Sequence, residues 1–369
     1  MRKILTAFIS IIMFAEGKTY PEILLIPDFS YVYRNISDEL YKNLYIPGLL
    51  EEITHIEHSE YNGKRGFNFN YLETRVEQTL NGFHFYSIFH LTENSFNIDE
   101  IYLEKYIKNL KLKGGKFRSE IGILNVKHQH AWFFIDFPLI YKVFFGNHGL
   151  TEKGIHIDWF SKVSKLGIEL LQGENENSFG YKSIPELGIP ESQPPSLISL
   201  FTKIKFNNLT GSLFYLHGKR RNDNDIVETG TTNLIGVGIQ SDKPLYIKTE
   251  LFYRKISGTF YNPEETSFNK KQAGYYFQII IPLNKYFLSG FRYDNIFKNS
   301  LNSNSLTGNL EKYSFGINYF PKPDFKIRFQ ISKDRSSFIG EKRKELIQIT
   351  GELTLFIGSH SHGKSHIHH

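Results

Sequence analysis

Along most of this chain apolar and polar residues alternate with a period of two, and the alternating runs are joined by connections that are short and long in turn. In residues 245–254, Leu245, Ile247, Leu251 and Tyr253 interleave with Lys248, Glu250 and Arg254; residues 325–332 and 347–355 repeat the scheme. Such a run sets one face against an apolar phase and the other against water. A soluble sandwich alternates too, so the connections decide. Tight joints lie at Asn81-Gly82, 107–109, 161–165, Asn207-Asn208, 241–244, Leu283-Asn284 and 321–324. Longer polar segments lie at 37–65, 92–97, 125–153, 174–196, 218–231, 257–271, 298–309 and 335–344. Strict alternation of short and long joints predicts an all-β, antiparallel up-and-down transmembrane barrel, with tight periplasmic turns and long outer loops. The joints delimit 16 strands, from 23–35 to 345–357, an even number that returns both ends to one side. Residues 66–80 are the irregular member, because their apolar phase slips midway.

Composition removes several function classes. With no Cys, thiolate catalysis, disulfides and Cys-based metal centres are excluded. A net charge of +6, scattered along the chain, is too small for a nucleic-acid partner. Arg2 and Lys3 precede an apolar stretch from Ile4 to Ala15, then Glu16 and Gly17, which reads as a secretory signal peptide over residues 1–17. A barrel of about 16 strands encloses a lumen rather than a side-chain core. The faces opposite the apolar ones supply Lys111, Lys113, Lys203, Lys205, Lys248, Arg254, Arg292, Lys326 and Arg328, and also Glu100, Glu104, Glu250, Asp294 and Glu352. Bases outnumber acids in that set, so the expected lining leans toward anions.

The connection at 125–153 carries Trp132, Phe133, Phe134, Phe137, Tyr141, Phe144 and Phe145, too many large apolar groups for a loop in water. Folded back into the barrel it would be a constriction loop. His128 and His130, two residues apart, would project to one side if extended, with Asp136 or His148 to complete a divalent-metal site. Barrel-wall hydrogen bonding is the competing role for these histidines.

The run Leu112-Lys113-Gly114-Gly115-Lys116-Phe117-Arg118-Ser119-Glu120-Ile121-Gly122 resembles the strand before the constriction loop of phosphate-selective-type outer-membrane porins. The continuation Asn125-Val126-Lys127-His128-Gln129-His130, Asp136-Phe137-Pro138, Phe145-Gly146, Gly149-Leu150 and Gly154 is similar to a narrower, poorly characterised group of outer-membrane proteins, described as porins or linked to zinc. The resemblance covers roughly residues 66–160. It implies 16 strands, a homotrimer embedded among outer-membrane lipid and lipopolysaccharide, and passive diffusion of small solutes or ions past the third loop. Its anion-selective members have a basic cluster there, where this loop offers only Lys127, Lys142 and Lys153.

After the last strand, residues 358–369 hold His360, His362, His366, His368 and His369 among Ser and Gly, a flexible chelator for zinc, nickel or copper. His55 and His58, near Glu57 and Glu60, read as solvated surface. The expected function is an outer-membrane porin that needs no cofactor; the alternative is a metal-binding protein using the barrel as scaffold. A barrel hydrolase ranks below both, since His84, His90, His156 and His217 have no spaced nucleophile motif.

Overall fold

The computed structural model describes residues 21–49, 61–180, 183–190, 195–222, 227–242, 245–262 and 264–358. The leader at 1–17, the His55/His58 cluster and the tail histidines His360, His362, His366, His368 and His369 lie outside the described residues. Sixteen antiparallel strands make up the wall. They are β1 (Glu22–Arg34), β2 (Gly66–Leu80), β3 (Phe83–Leu91), β4 (Phe96–Ile107), β5 (Leu110–Arg118), β6 (Thr151–Phe160), β7 (Ser164–Leu171) and β8 (Leu197–Phe206). The series continues with β9 (Leu209–Asn222), β10 (Val227–Ser241), β11 (Tyr246–Asn262), β12 (Glu264–Pro282), β13 (Phe287–Leu301), β14 (Leu310–Lys322), β15 (Phe325–Asp334) and β16 (Leu346–Leu355). Each pairs with its neighbours in sequence, and β1 pairs with both β2 and β16, which closes the sheet and removes its edges.

Exposure is inverted relative to a soluble protein. On β15, Phe329 is 44% exposed while the adjacent Arg328 is 1% exposed. The same alternation runs through Leu251, Phe291 and Phe315 on the outside, against Glu250, Arg292 and Ser314 on the inside. An apolar exterior on a closed cylinder has every backbone group paired, which is what a bilayer demands. None of the described helices is long and apolar enough to cross a membrane.

The tight joints fall where the sequence places them, although of the joint at 241–244 only residues 241 and 242 are described. At Asn81-Gly82 both residues take positive φ (52° and 77°), the twist a two-residue hairpin requires. The long side departs from expectation at several segments. Most of 218–231 and 257–271 is strand rather than loop, because β9–β12 run 14–19 residues and project past the membrane. There both faces meet water, so polar residues extend the ladder instead of ending it. The joint after β3 shrinks to 92–95, pinned by the Thr92 and Ser95 side chains. The phase slip in β2 is a β-bulge: Asp28 pairs with Tyr71 and Phe29 with Phe69, which leaves Asn70 extra. Asn70 turns inward and donates to Asp28 at 2.7 Å.

Candidate functional site

The segment after β5 folds into the barrel. It starts at Ser119 and ends at Leu150, earlier at both ends than the 125–153 expected, since β6 already includes Lys153. Its helix α1 (Leu139–Phe145) follows Pro138, and Asp294 on β13 accepts the Leu139 amide at 2.9 Å. Trp132, Phe137, Tyr141, Phe144 and Phe145 are buried against Phe201, Phe214, Leu234, Phe252, Tyr276 and Ile296 of the wall. The lumen beside β8–β14 is therefore filled with a hydrophobic core.

Polar groups of the wall latch this core in place. Glu250 accepts the Ile123 amide (2.8 Å) and the hydroxyls of Tyr141 (2.9 Å) and Tyr276 (2.7 Å). Arg254 donates to Asn177 O and Ser178 Oγ and stacks on Phe144. Arg292 binds Asp294 and Asp136, each at 2.8 Å. Lys326 donates to the carbonyls of His130 and Trp132. Arg328 donates to those of Gln129, Trp132 and Phe134 while paired with Glu352. Lys248 is buried beside Lys127 of the loop. These residues do point inward, but they do not form the anion-attracting surface expected of them. The charges of Arg254, Arg292, Lys326 and Arg328 meet loop oxygens and carboxylates, while Lys248 lies against a second cation, Lys127. Asp136 is likewise diverted from the expected metal site: it binds Arg292, Lys312 and Gln330. Burial alone would raise its pKa, but Lys312 and Arg292 hold the carboxyl well below its usual range.

Replacing Glu250 with Leu should strip the Ile123 amide and two buried hydroxyls of their acceptor. At about 1–3 kcal/mol for each buried group left unsatisfied, a clear drop in the thermal unfolding midpoint of the detergent-folded protein is expected. An unchanged midpoint would refute the anchoring role.

The β2–β5 side is different. A cavity of about 1090 Å³ opens from the long-loop end and reaches Tyr71, His90, Asp99, Gln129 and His148. Toward the turn end Arg75, Glu77 and His84 keep 20–26% of their side chains exposed, as do Lys165 and Lys203. Glu120 binds Lys111 (3.4 Å), Lys165 (2.9 Å) and Lys203 (3.2 Å). Burial opposes ionisation of Glu120, yet Lys203, Lys111 and Lys165 hold it well below the ordinary carboxylate range. Lys113 stacks on Tyr102, and Lys205 is exposed near the turn-side rim.

Beside this cavity, which reaches His90 and Asp99, the loop meets the wall in a compact His–carboxylate cluster. His128 Nε2 lies 2.6 Å from Glu100 Oε1, and its Nδ1 lies 3.4 Å from Asp99 and 3.8 Å from Glu73. His130 Nδ1 lies 3.3 Å from Glu73, and His90 Nε2 lies 3.1 Å from it. Burial pushes the His130 imidazole below its ordinary range. Arg118 binds Asp99 at 3.1 Å and the His148 carbonyl at 2.8 Å. Two adjacent acids reach one site because Ile88 pairs with Glu100 and Phe89 with Ile98, which makes Asp99 a bulged residue. The sequence reading named the loop pair His128/His130 but missed Glu73 and Asp99 as partners. The paired acids in Ile98-Asp99-Glu100-Ile101, which break the alternation, were the available signal.

Comparison with known proteins fits this architecture. A protein of Aquifex aeolicus (strain VF5), described as uncharacterized, is 34% identical over 378 aligned residues that cover 94% of this chain and 80% of the relative. The chain belongs to that protein's family. No family model matches it. Among solved structures, an anion-selective porin from Comamonas acidovorans aligns with a TM-score of 0.63 at 10% identity, covering 91% of this chain and 99% of the porin. The outer membrane channel DcaP of Acinetobacter baumannii gives 0.59 at 10% (91% and 96% covered), and Vibrio cholerae OmpT lacking loop L8 gives 0.62 at 8% (91% and 99%). At these identities the likeness is one of fold: this chain has the 16-stranded barrel of outer-membrane porins, and its apolar belt is suited to that membrane.

Proposed function

We propose that the protein is a passive outer-membrane channel, not an enzyme, for small hydrophilic solutes or ions. The carrying observation is the one-sided filling of the lumen. With the β8–β14 side packed by this core, the cavity from the long-loop end runs along β2–β5 as far as His90 and Asp99, where Glu73, Glu100 and Arg118 adjoin it. Three carboxylates to one guanidinium at a narrow point favour cations. This reverses the lean read from the summed lumen charge, and differs from the anion selectivity stated for the Comamonas porin. Against catalysis, the histidines once weighed for it bind acids or an amide: His84 to Glu77 and Glu104, His90 to Glu73, His156 to Asp158 and Glu169, His217 to Asn233.

We read its assembly as trimeric. Vibrio cholerae OmpT has been solved in a trimer form at a TM-score of 0.60, and β3–β8 here form a wall of shorter strands (8–12 residues) suited to a protected interface. The test is reconstitution of the full chain in planar bilayers with asymmetric KCl. Discrete conductance steps with a reversal potential displaced toward that of K⁺ are expected. Absence of steps, or displacement toward Cl⁻, would contradict the reading.

A further inference from the structure

We propose that Glu73, His90 and His128, with His130 alongside, form a binding site for a divalent transition-metal ion of the zinc class at the constriction. One ligand atom from each of Glu73, His90 and His128 can be chosen so that all lie within 4.8 Å of one another. Glu73 Oε2 is 3.1 Å from His90 Nε2, 3.3 Å from His130 Nδ1 and 3.8 Å from His128 Nδ1. A tetrahedral zinc with bonds of about 2.0–2.1 Å sets its ligand atoms roughly 3.3 Å apart, so small side-chain rotations suffice to admit the ion.

Three further features favour metal over a hydrogen-bonded cluster. Of the three imidazoles facing Glu73 Oε2 only His90 hydrogen-bonds to it, whereas Glu73 Oε1, His128 Nδ1 and His130 Nδ1 have no hydrogen-bond partner among the described residues. Hydrogen bonding alone would use both oxygens. His128 presents Nδ1 to the centre and lies 2.6 Å from Glu100 through Nε2, the carboxylate–histidine relay that orients a metal-bound imidazole. Finally, with the imidazoles neutral, as metal binding requires, Glu73, Asp99 and Glu100 against Arg118 leave two negative charges in this cluster, which a divalent ion would neutralise. Imidazoles with a carboxylate suit zinc, nickel or copper rather than magnesium or calcium. The second grouping of such side chains, Glu120, His156 and Asp158, is already engaged: His156 uses both nitrogens on Asp158 and Glu169, and lysines bind Glu120.

Binding stands on the cluster alone; the expected consequence, that the ion narrows the passage, rests on the channel reading above. The test uses the full chain, with His360→Ser, His362→Ser, His366→Ser, His368→Ser and His369→Ser so that the tail takes up no metal. Zinc is added to the detergent-folded protein, and stoichiometry, affinity and zinc-edge X-ray absorption are read, with heat-shifted gel migration as the folding check. The expected result is one zinc per chain with a nitrogen/oxygen shell at about 2.0–2.1 Å. Folded His128→Ala should lose that equivalent, and Glu100→Gln should keep it with affinity roughly 10–100-fold weaker. No zinc in the tail-substituted chain, or a zinc indifferent to both His128→Ala and Glu100→Gln, overturns the site. In bilayers, zinc should lower the conductance of the tail-substituted chain. Cluster-bound zinc that leaves conductance unchanged would place the passage elsewhere and overturn the channel reading while the site stands.

Discussion

Arg328→Met should destabilise the folded barrel by about 3–5 kcal/mol and raise its single-channel conductance and open-channel noise. Arg328 is fully buried, pairs with Glu352, and donates to three carbonyls of the inward loop. Its loss would leave Glu352 and the nearby Asp28, both buried, without the guanidinium between the loop and the wall. Breaking one half of such a pair costs more than removing both halves. The double variant Arg328→Met/Glu352→Gln should therefore recover part of the stability without restoring the closed conductance. Urea unfolding midpoints and bilayer recordings on the same preparations check both halves. A single variant as stable and as narrow as the parent would show that the loop is not latched through Arg328.

Much of the barrel could be read from the chain because a membrane-spanning strand has only two environments. Lipid on one side and polar lumen on the other impose the Phe/Arg and Ile/Gln alternation of β15, and Asn-Gly chemistry fixes the turn after β2. Where a strand leaves the membrane that contrast vanishes, so the outer parts of β9–β12 looked like loops. The inward fold of the third loop followed from its aromatics, and the histidine pair from its spacing. The partners of that loop did not follow. Whether Arg292 lines water or clamps Asp136 depends on which wall the loop rests against, a contact spanning 156 residues of sequence. The Glu73–Asp99–Glu100 cluster depends on a single bulged residue, which adds no length to the pattern and shows only as two adjacent acids.

The one-sided passage can be tested directly because the chain has no native Cys, so a single introduced thiol reports its own access to water. His84 and Glu77 keep about a quarter of their side chains exposed along the β2–β3 wall, whereas Thr232 on β10 and Ser314 on β14 face inward at 0% and 1% exposure. A cationic methanethiosulfonate applied to reconstituted channels should modify His84→Cys and Glu77→Cys and step the conductance down. Thr232→Cys and Ser314→Cys should stay unmodified until the protein is denatured. Equal modification at all four positions, or labelling of the first two with no change in current, would contradict a passage confined to the β2–β5 side.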